Sequence, residues 1–90
     1  MSKTKLPPKE NGNDKAVAIY NLVLHNDDLN TFDFVIETLI NICNHEFIQA
    51  VQCAHLVHNT GKCSVKRGTF EVLKPKCEAI IEKGLSASIE

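Results

Sequence analysis

The stretch AVAIYNLVLHNDDLNTFDFVIETLINIC, residues 16–43, changes its hydrophobic period once, at a short polar corner formed by Asn26, Asp27 and Asp28. Ala16–His25 is mostly β-branched or apolar, with Tyr20, Leu22 and Leu24 at alternate positions. This alternation predicts a β-strand with at least one well-buried face. Beyond the corner the apolar residues follow a helical period, so the fold is expected to begin as a strand followed by a helix.

The first helix is expected to start at Asn30, a good N-cap with Asp33 three residues later, close to a capping box. Its apolar stripe comprises Phe32, Val35, Ile36, Leu39, Ile42 and Cys43. Asn44 is then expected to cap a second helix, with Glu46 near the positive end of that helix.

The second helix carries an apolar stripe that ends in a histidine. Its members are Phe47, Ala50, Val51, Ala54, Val57 and His58. Gly61 can adopt the left-handed conformation that ends a helix, so the helix is expected to stop there.

The next segment is predicted to be a strand and then a third helix. Lys62–Gly68 alternates, with Cys63 and Val65 facing inward. Thr69 can cap the helix, and Pro75 lies past its first turn, where it should kink the helix or delay its start. The apolar face of this helix comprises Leu73, Cys77, Ile80 and Ile81.

The chain closes with a predicted strand, because Leu85, Ala87 and Ile89 alternate after Gly84, which ends the third helix. The order β-α-α-β-α-β predicts an α+β fold, with a small three-stranded antiparallel sheet covered on one face by three helices. Ninety residues make one domain, expected to span residues 16–90. Met1–Lys15 is polar and broken by proline and glycine, which predicts a flexible tail.

The composition excludes several classes of function. Eleven acidic residues against ten Lys and Arg argue against a nucleic-acid-binding protein, which would need a basic face. No apolar run approaches the ~20 residues that span a membrane. The first fifteen residues contain no apolar segment typical of a secretory signal, so we expect a cytoplasmic protein.

Four cysteines, Cys43, Cys53, Cys63 and Cys77, raise the question of disulfides or zinc. A reducing compartment disfavours disulfides. Each of Cys43 and Cys53 has a histidine two residues later, but residues two apart on a helix do not share a face. We therefore expect free thiols and no metal or other cofactor.

The polar corner has two interpretations. Asn26 and Asp27 leave the first strand, and His58 would point toward them if the second helix packs beside the first. A carboxylate, an amide oxygen and an imidazole can accept hydrogen bonds from an α-amino group, which offers three donors and one positive charge. The alternative is a simple turn, because Asn and Asp often bond their own backbone.

The segments NLVLHNDDLNTFDFVIETL, AVQCAHLVHNTGK, GTFEVLKPK and GLSASIE together resemble the ClpS family, in order, over about Tyr20–Glu90. This family consists of non-enzymatic adaptors that deliver N-degron substrates to Clp unfoldases such as ClpA. The resemblance implies a monomer that binds the N-domain of a ClpA/ClpC-type unfoldase and the N-terminal segments of substrates, with no nucleic acid or membrane involved.

The resemblance also implies roles for individual residues. Asn26, Asp27 and His58 match positions that bind the substrate's α-amino group. Glu71 and Lys76 match positions in the unfoldase contact surface. The pocket for the first side chain, usually Phe, Tyr, Trp or Leu, is matched by Leu24, Asn30, Phe32, Val35, Ala54, Val57 and Leu85. The tail corresponds to an extension that takes part in delivery.

Some positions depart from the family pattern. Asn30 and Thr31 replace the usual Thr-Pro, and Thr31 gives up a proline that preorganises the first helical turn. Phe32 and Ala54 occupy positions that are often Met, which leaves open the preference among hydrophobic first residues.

Two other classes of function remain as alternatives. An interaction module like the C-terminal domain of ribosomal protein L7/L12 has a similar architecture but no amine pocket. An enzyme or metal site would use Asp27, Asp28 and His58, although no nucleophile, Walker A or H-E-x-x-H motif accompanies them.

Overall fold

The computed structural model describes residues 17–90, which form three strands and three helices in the predicted order β-α-α-β-α-β. The elements are β1 (Tyr20–His25), α1 (Phe32–Cys43), α2 (Phe47–Thr60), β2 (Lys62–Gly68), α3 (Phe70–Glu82) and β3 (Ser86–Ile89). The α+β fold class with three antiparallel strands is thereby confirmed. The predicted tail, Met1–Lys15, lies outside the described residues, and so does Ala16.

The sheet places the end of β1 next to the end of α2. β1 is central in the order β2-β1-β3 and pairs antiparallel with both neighbours. His25 therefore lies opposite Lys62, the first residue of β2, and opposite Ser86, the first residue of β3. The next backbone N–H, that of Asn26, donates to the carbonyl of Gly61 at 2.9 Å. The sheet register therefore places the polar corner beside the end of α2.

The core lies between the helices and the helix-facing side of β1. Leu22 and Leu24 are fully buried there, together with Leu39, Leu73 and Ile80. Burying each such side chain stabilises the fold by roughly 1.5–3 kcal/mol. In the part of the chain that the structure describes, no helix is long and apolar enough to cross a membrane.

The first strand is shorter than predicted. It begins at Tyr20 rather than at residue 16, and Val17 and Ile19 are 64% and 51% exposed. Tyr20 pairs with Gly68, after which the chain turns into α3. Residues 17–19 therefore have no partner on β2, although their composition is typical of a strand.

The capping predictions for the first two helices are wrong. Thr31, not Asn30, is the N-cap of α1, because its Oγ1 accepts from the backbone N–H of Phe34 at 3.1 Å. Asn44 ends α1 in the left-handed conformation, at φ 59°, instead of starting α2. Glu46 is the N-cap of α2 and makes no side-chain capping bond. Gly61 ends α2 as predicted, at φ 98°.

α3 follows the prediction except for one side chain and one effect of proline. Thr69 Oγ1 accepts from the backbone N–H of Val72, as expected for an N-cap. Pro75 lies inside α3 and does not delay its start at Phe70. Ile81, predicted to face the core, is 51% exposed. The buried side of α3 uses Leu73, Cys77 and Ile80 only.

Candidate functional site

A cavity of about 220 Å³ opens at the end of β1, between α1 and α2. It is lined by Leu24, His25, Asn26, Asp27, Asn30, Phe32, Val35, Ala54, Val57, His58 and Leu85. This set contains every residue that the sequence suggested for an amine site or a side-chain pocket, with His25 in addition. The structure therefore brings together, around one cavity, residues that lie up to 61 positions apart in the chain.

Four parts of the chain build this cavity. The end of β1 and the corner after it supply one side, and the first turn of α1 supplies the mouth. α2 contributes Ala54, Val57 and His58, whose spacing of three and four residues puts them on one helical face. Leu85 closes the cavity from the segment before β3.

The floor of the cavity is apolar. Leu24, Ala54, Val57 and Leu85 line it, and all four are buried. Its volume is below the ~300–1,000 Å³ of pockets for drug-sized ligands. The space is suited to one side chain rather than to a longer segment of a ligand.

Asp27 forms the turn that the simpler interpretation predicts. Its Oδ1 accepts from the backbone N–H groups of Leu29 at 2.9 Å and Asn30 at 3.1 Å. The amide nitrogen of Asn30 adds a contact of 3.0 Å to Oδ1 and one of 3.2 Å to Oδ2. Oδ2 has no other partner within residues 17–90, so it keeps capacity to accept from a ligand. Turn formation and ligand binding are thus compatible in the same carboxylate.

His58 lies in the last turn of α2, and its side chain is exposed at the cavity mouth. The ring of Phe32 makes edge-on contacts with two histidines, at 4.7 Å from the centroid of His55 and 6.4 Å from that of His58. Among the described residues, His58 forms no hydrogen bond or ion pair. Its imidazole is available to a ligand, and Phe32 lines the cavity beside it.

His25 is the lining residue that sequence reasoning missed. Strand alternation placed it on the opposite side of β1 from Leu24, and its Nε2 indeed lies 2.7 Å from Ser88 Oγ and 3.7 Å from Glu90 Oε2. The cavity reaches it because β1 ends there and the chain turns. Its position immediately before Asn26 is the feature of the sequence that could have indicated a place in the cavity lining.

Glu71 and Lys76 lie on α3, outside the cavity lining. They are five positions apart, a rotation of about 140° around the helix, so they do not share a face. Glu71 is exposed, whereas Lys76 is half-buried and its Nζ donates to the carbonyl of Ile42 at 3.2 Å. Lys76 therefore also binds the C-terminal turn of α1.

The cysteines are free thiols. Burial raises the pKa of Cys43, Cys53 and Cys77, in the case of Cys53 to about 12 with a further contribution from the neighbouring Cys63 thiol. Within residues 17–90 no group of three His, Cys, Asp or Glu side chains could hold a metal ion. Asp28 is exposed and does not line the cavity, so it adds no ligand beside Asp27.

Comparisons with known proteins agree on one family. A profile described as "ATP-dependent Clp protease adaptor protein ClpS" matches residues 15–88. The ClpS adapter of Acetivibrio thermocellus is 34% identical over 84 residues, which cover 92% of this chain and 84% of the relative. The ClpS adapter of Vibrio atlanticus is 37% identical over 68 residues, 76% of this chain and 64% of the relative.

A solved structure has the same fold. Agrobacterium tumefaciens ClpS2 bound to L-phenylalaninamide superimposes with a TM-score of 0.77, covering 80% of this chain and 94% of that one. The sequence identity between the two is 19%, so this likeness concerns the fold.

Proposed function

This chain belongs to the ClpS family of adaptors of the ATP-dependent Clp protease, and we propose that it recognises substrates by their first residue. It binds the free α-amino group together with a large hydrophobic first side chain, Phe, Tyr, Trp or Leu. It then delivers the substrate to a Clp AAA+ unfoldase for proteolysis. The chain itself carries out recognition and no bond-breaking step.

One observation carries this proposal: Asn26, Asp27 and His58 line the same cavity as a buried apolar floor. An ammonium group has three donors and one positive charge. In the proposed complex, Asp27 Oδ2 supplies the negative charge, while the side chains of Asn26 and His58 accept the remaining hydrogen bonds. Hydrogen bonds with a charged partner are about twice as strong as neutral ones.

The floor accounts for the choice of side chain. A cavity of about 220 Å³ with buried Leu24, Ala54, Val57 and Leu85 around it takes one large apolar group. Burying that group contributes roughly 1.5–3 kcal/mol. The ligand of the Agrobacterium protein, L-phenylalaninamide, combines an amine with such a side chain, which supports the same ligand class here.

For delivery, we assign the contact with the N-domain of a ClpA/ClpC-type unfoldase to α3, around Glu71 and Lys76. Neither residue lines the cavity, so a contact at either position leaves the cavity free for a substrate. The short segment before residue 16 takes part in delivery.

The test is a binding comparison by fluorescence anisotropy. Four labelled peptides share one sequence after residue one: they start with free Phe, N-acetylated Phe, free Leu and free Gly. We expect binding of the free Phe and Leu peptides only, because acetylation removes the positive charge of the amine and two of its three donors. Equal binding of the free and acetylated Phe peptides, or binding of neither, would overturn the proposal. That result would favour an interaction module of similar fold without an amine pocket.

A further inference from the structure

The side-chain amide of Asn30 joins two parts of the cavity wall that are distant in sequence. Its Nδ2 contacts Asp27 Oδ1 at 3.0 Å and Asp27 Oδ2 at 3.2 Å. The same nitrogen lies 3.0 Å from the carbonyl oxygen of Gly84, 54 positions away. One hydrogen of the amide is thus directed at the carboxylate, and the other at the turn between α3 and β3.

The chemistry of this contact fixes the orientation of the amide. All three neighbours of Asn30 Nδ2 are oxygen atoms that act here only as acceptors. An amide nitrogen carries two hydrogens and no acceptor, whereas the amide oxygen carries no hydrogen. Turning the amide over would set its oxygen against two carboxylate oxygens and a carbonyl. The nitrogen must therefore face Asp27 and Gly84.

We propose that Asn30 is a positioning residue for the amine site: it holds the Asp27 carboxylate in the orientation that binds the substrate's ammonium group and ties this corner to the Gly84–Leu85 wall. The inference rests on the proposed function, since it concerns the same cavity. It goes further by assigning to Asn30 a role that acts through Asp27 rather than through contact with the substrate.

The distribution of bonds on Asp27 supports this role. Oδ1 is filled by two backbone N–H groups and the Asn30 amide, while Oδ2 holds only the longer contact to that amide. The backbone bonds fix Oδ1 alone, and a carboxylate held at one oxygen can rotate. The amide of Asn30 bonds both oxygens, so the carboxylate cannot rotate and Oδ2 keeps one orientation in the amine site.

The bond to Gly84 connects the same amide to the apolar wall of the cavity. Gly84 has a left-handed backbone, at φ 95°, and Leu85 follows it as a buried lining residue. A hydroxyl group carries a single hydrogen, so a Thr at position 30 could satisfy the carboxylate or the carbonyl, but not both. The two hydrogens of Asn30 are what allow one side chain to do both.

A double-mutant cycle tests the inference. Affinity for the free Phe peptide is measured by anisotropy for wild type, Asn30→Ala, Asp27→Asn and the double variant, with weak binding followed by NMR titration. We expect Asn30→Ala to weaken binding about tenfold in the wild-type background, but by less than about twofold in the Asp27→Asn background. A purely structural effect of Asn30 on the wall would weaken both backgrounds by the same factor.

Isosteric variants keep the test independent of packing. Asn30→Asp has the shape of Asn but removes both donors and sets a second carboxylate against Asp27, so it should weaken binding more than Asn30→Thr. Asn41→Asp makes the same chemical change at an exposed position of α1 and should bind like wild type. Thermal unfolding of each variant confirms that the compared proteins are folded.

The outcomes separate the two proposals. If wild type does not bind the free Phe peptide, the proposed function fails. If wild type binds the free Phe peptide, the proposed function stands. The positioning role is then overturned by either of two results: Asn30→Ala and Asn30→Asp bind as tightly as wild type, or Asn30→Ala weakens binding by the same factor in both Asp27 backgrounds.

Discussion

The backbone N–H of Asn26 donates to the carbonyl oxygen of Gly61 at 2.9 Å, which joins the end of β1 to the residue that ends α2. Gly61 lies three residues after His58, so this bond brings the histidine to the acidic corner. Packing of α2 on the sheet then sets Ala54 and Val57 beneath both. This backbone contact and the packing of α2 together place the polar rim next to the apolar floor.

Removing the charge of Asp27 should weaken amine binding more than removing the charge of the adjacent Asp28. Asp27→Asn retains the shape and the oxygen that accepts from the backbone N–H groups, so the turn should be retained. We expect about 10- to 100-fold weaker binding of the free Phe peptide, because a hydrogen bond to a charged group contributes about 1.5–3 kcal/mol. Isothermal titration calorimetry measures the change.

Asp28→Asn is the matched control for this variant, since Asp28 is adjacent, exposed and outside the cavity lining. Its effect should stay below about twofold, as expected for a solvated charge. Equal losses in the two variants would mean that Asp27 acts through long-range charge and not through contact.

Filling the floor should change the preference among first residues. Ala54 is buried and lines the cavity, and Ala54→Met adds three heavy atoms to a space of about 220 Å³. We expect affinity for Trp- and Phe-starting peptides to fall about five- to tenfold, and affinity for the smaller Leu peptide to fall less. A panel of peptides that differ only in residue one measures this.

Ala79→Met provides the control, because Ala79 lies on α3 and does not line this cavity. It should leave the order of preference unchanged. A uniform loss across the panel for Ala54→Met would show damage to the fold and would contradict a steric role in selection.

Stability should fall in alkaline solution partly through Cys53. Burial, followed by the effect of the neighbouring Cys63 thiol, raises the pKa of this thiol from 9.0 to about 12. Between these values the folded chain keeps the proton and the unfolded chain loses it, so rising pH lowers the free energy of the unfolded state relative to the folded state. The stabilisation is complete below pH 9 and decreases by up to about 1.4 kcal/mol per pH unit above it.

Urea unfolding of wild type and Cys53→Ala between pH 7 and pH 11 checks this prediction. The variant should be less stable at pH 7, because a buried side chain is shortened. The difference between the two proteins should stay constant up to pH 9 and then shrink. A difference that stays constant through pH 11 would show that Cys53 does not titrate with the unfolding reaction.

Replacing Pro75 should stabilise the domain. Pro75 is exposed within α3 and has no N–H to donate to the carbonyl of Glu71, four residues earlier. Pro75→Ala restores this bond and improves helix propensity, while it gives the unfolded chain more freedom at a cost of about 0.4–1 kcal/mol. We expect a net gain of about 1–3 kcal/mol in the free energy of unfolding, measured by urea titration.

Binding of the free Phe peptide is the internal control for Pro75→Ala, since Pro75 does not line the cavity. Affinity should be unchanged. A loss of stability would instead indicate that the packing of α3 depends on the proline ring.

The sequence by itself determined the type and order of the six elements, because periodicity and local punctuation are properties of neighbouring residues. β2 has the predicted bounds, Lys62–Gly68, Thr69 caps α3, and Gly61 ends α2. These features depend on a hydroxyl next to a helix start and on a glycine with positive φ, which act within a few residues of the chain.

Tertiary structure decided the choices for which a side chain or strand had more than one available partner. Asn30 could have capped α1, but its amide bonds Asp27 and the distant carbonyl of Gly84, and Thr31 takes the capping position instead. Residues 17–19 had the composition of a strand but no strand opposite. Asp27 and His58 likewise line one cavity only because the sheet register brings the end of β1 beside the end of α2. Contacts between residues distant in sequence depend on where folding brings their atoms and not on sequence spacing.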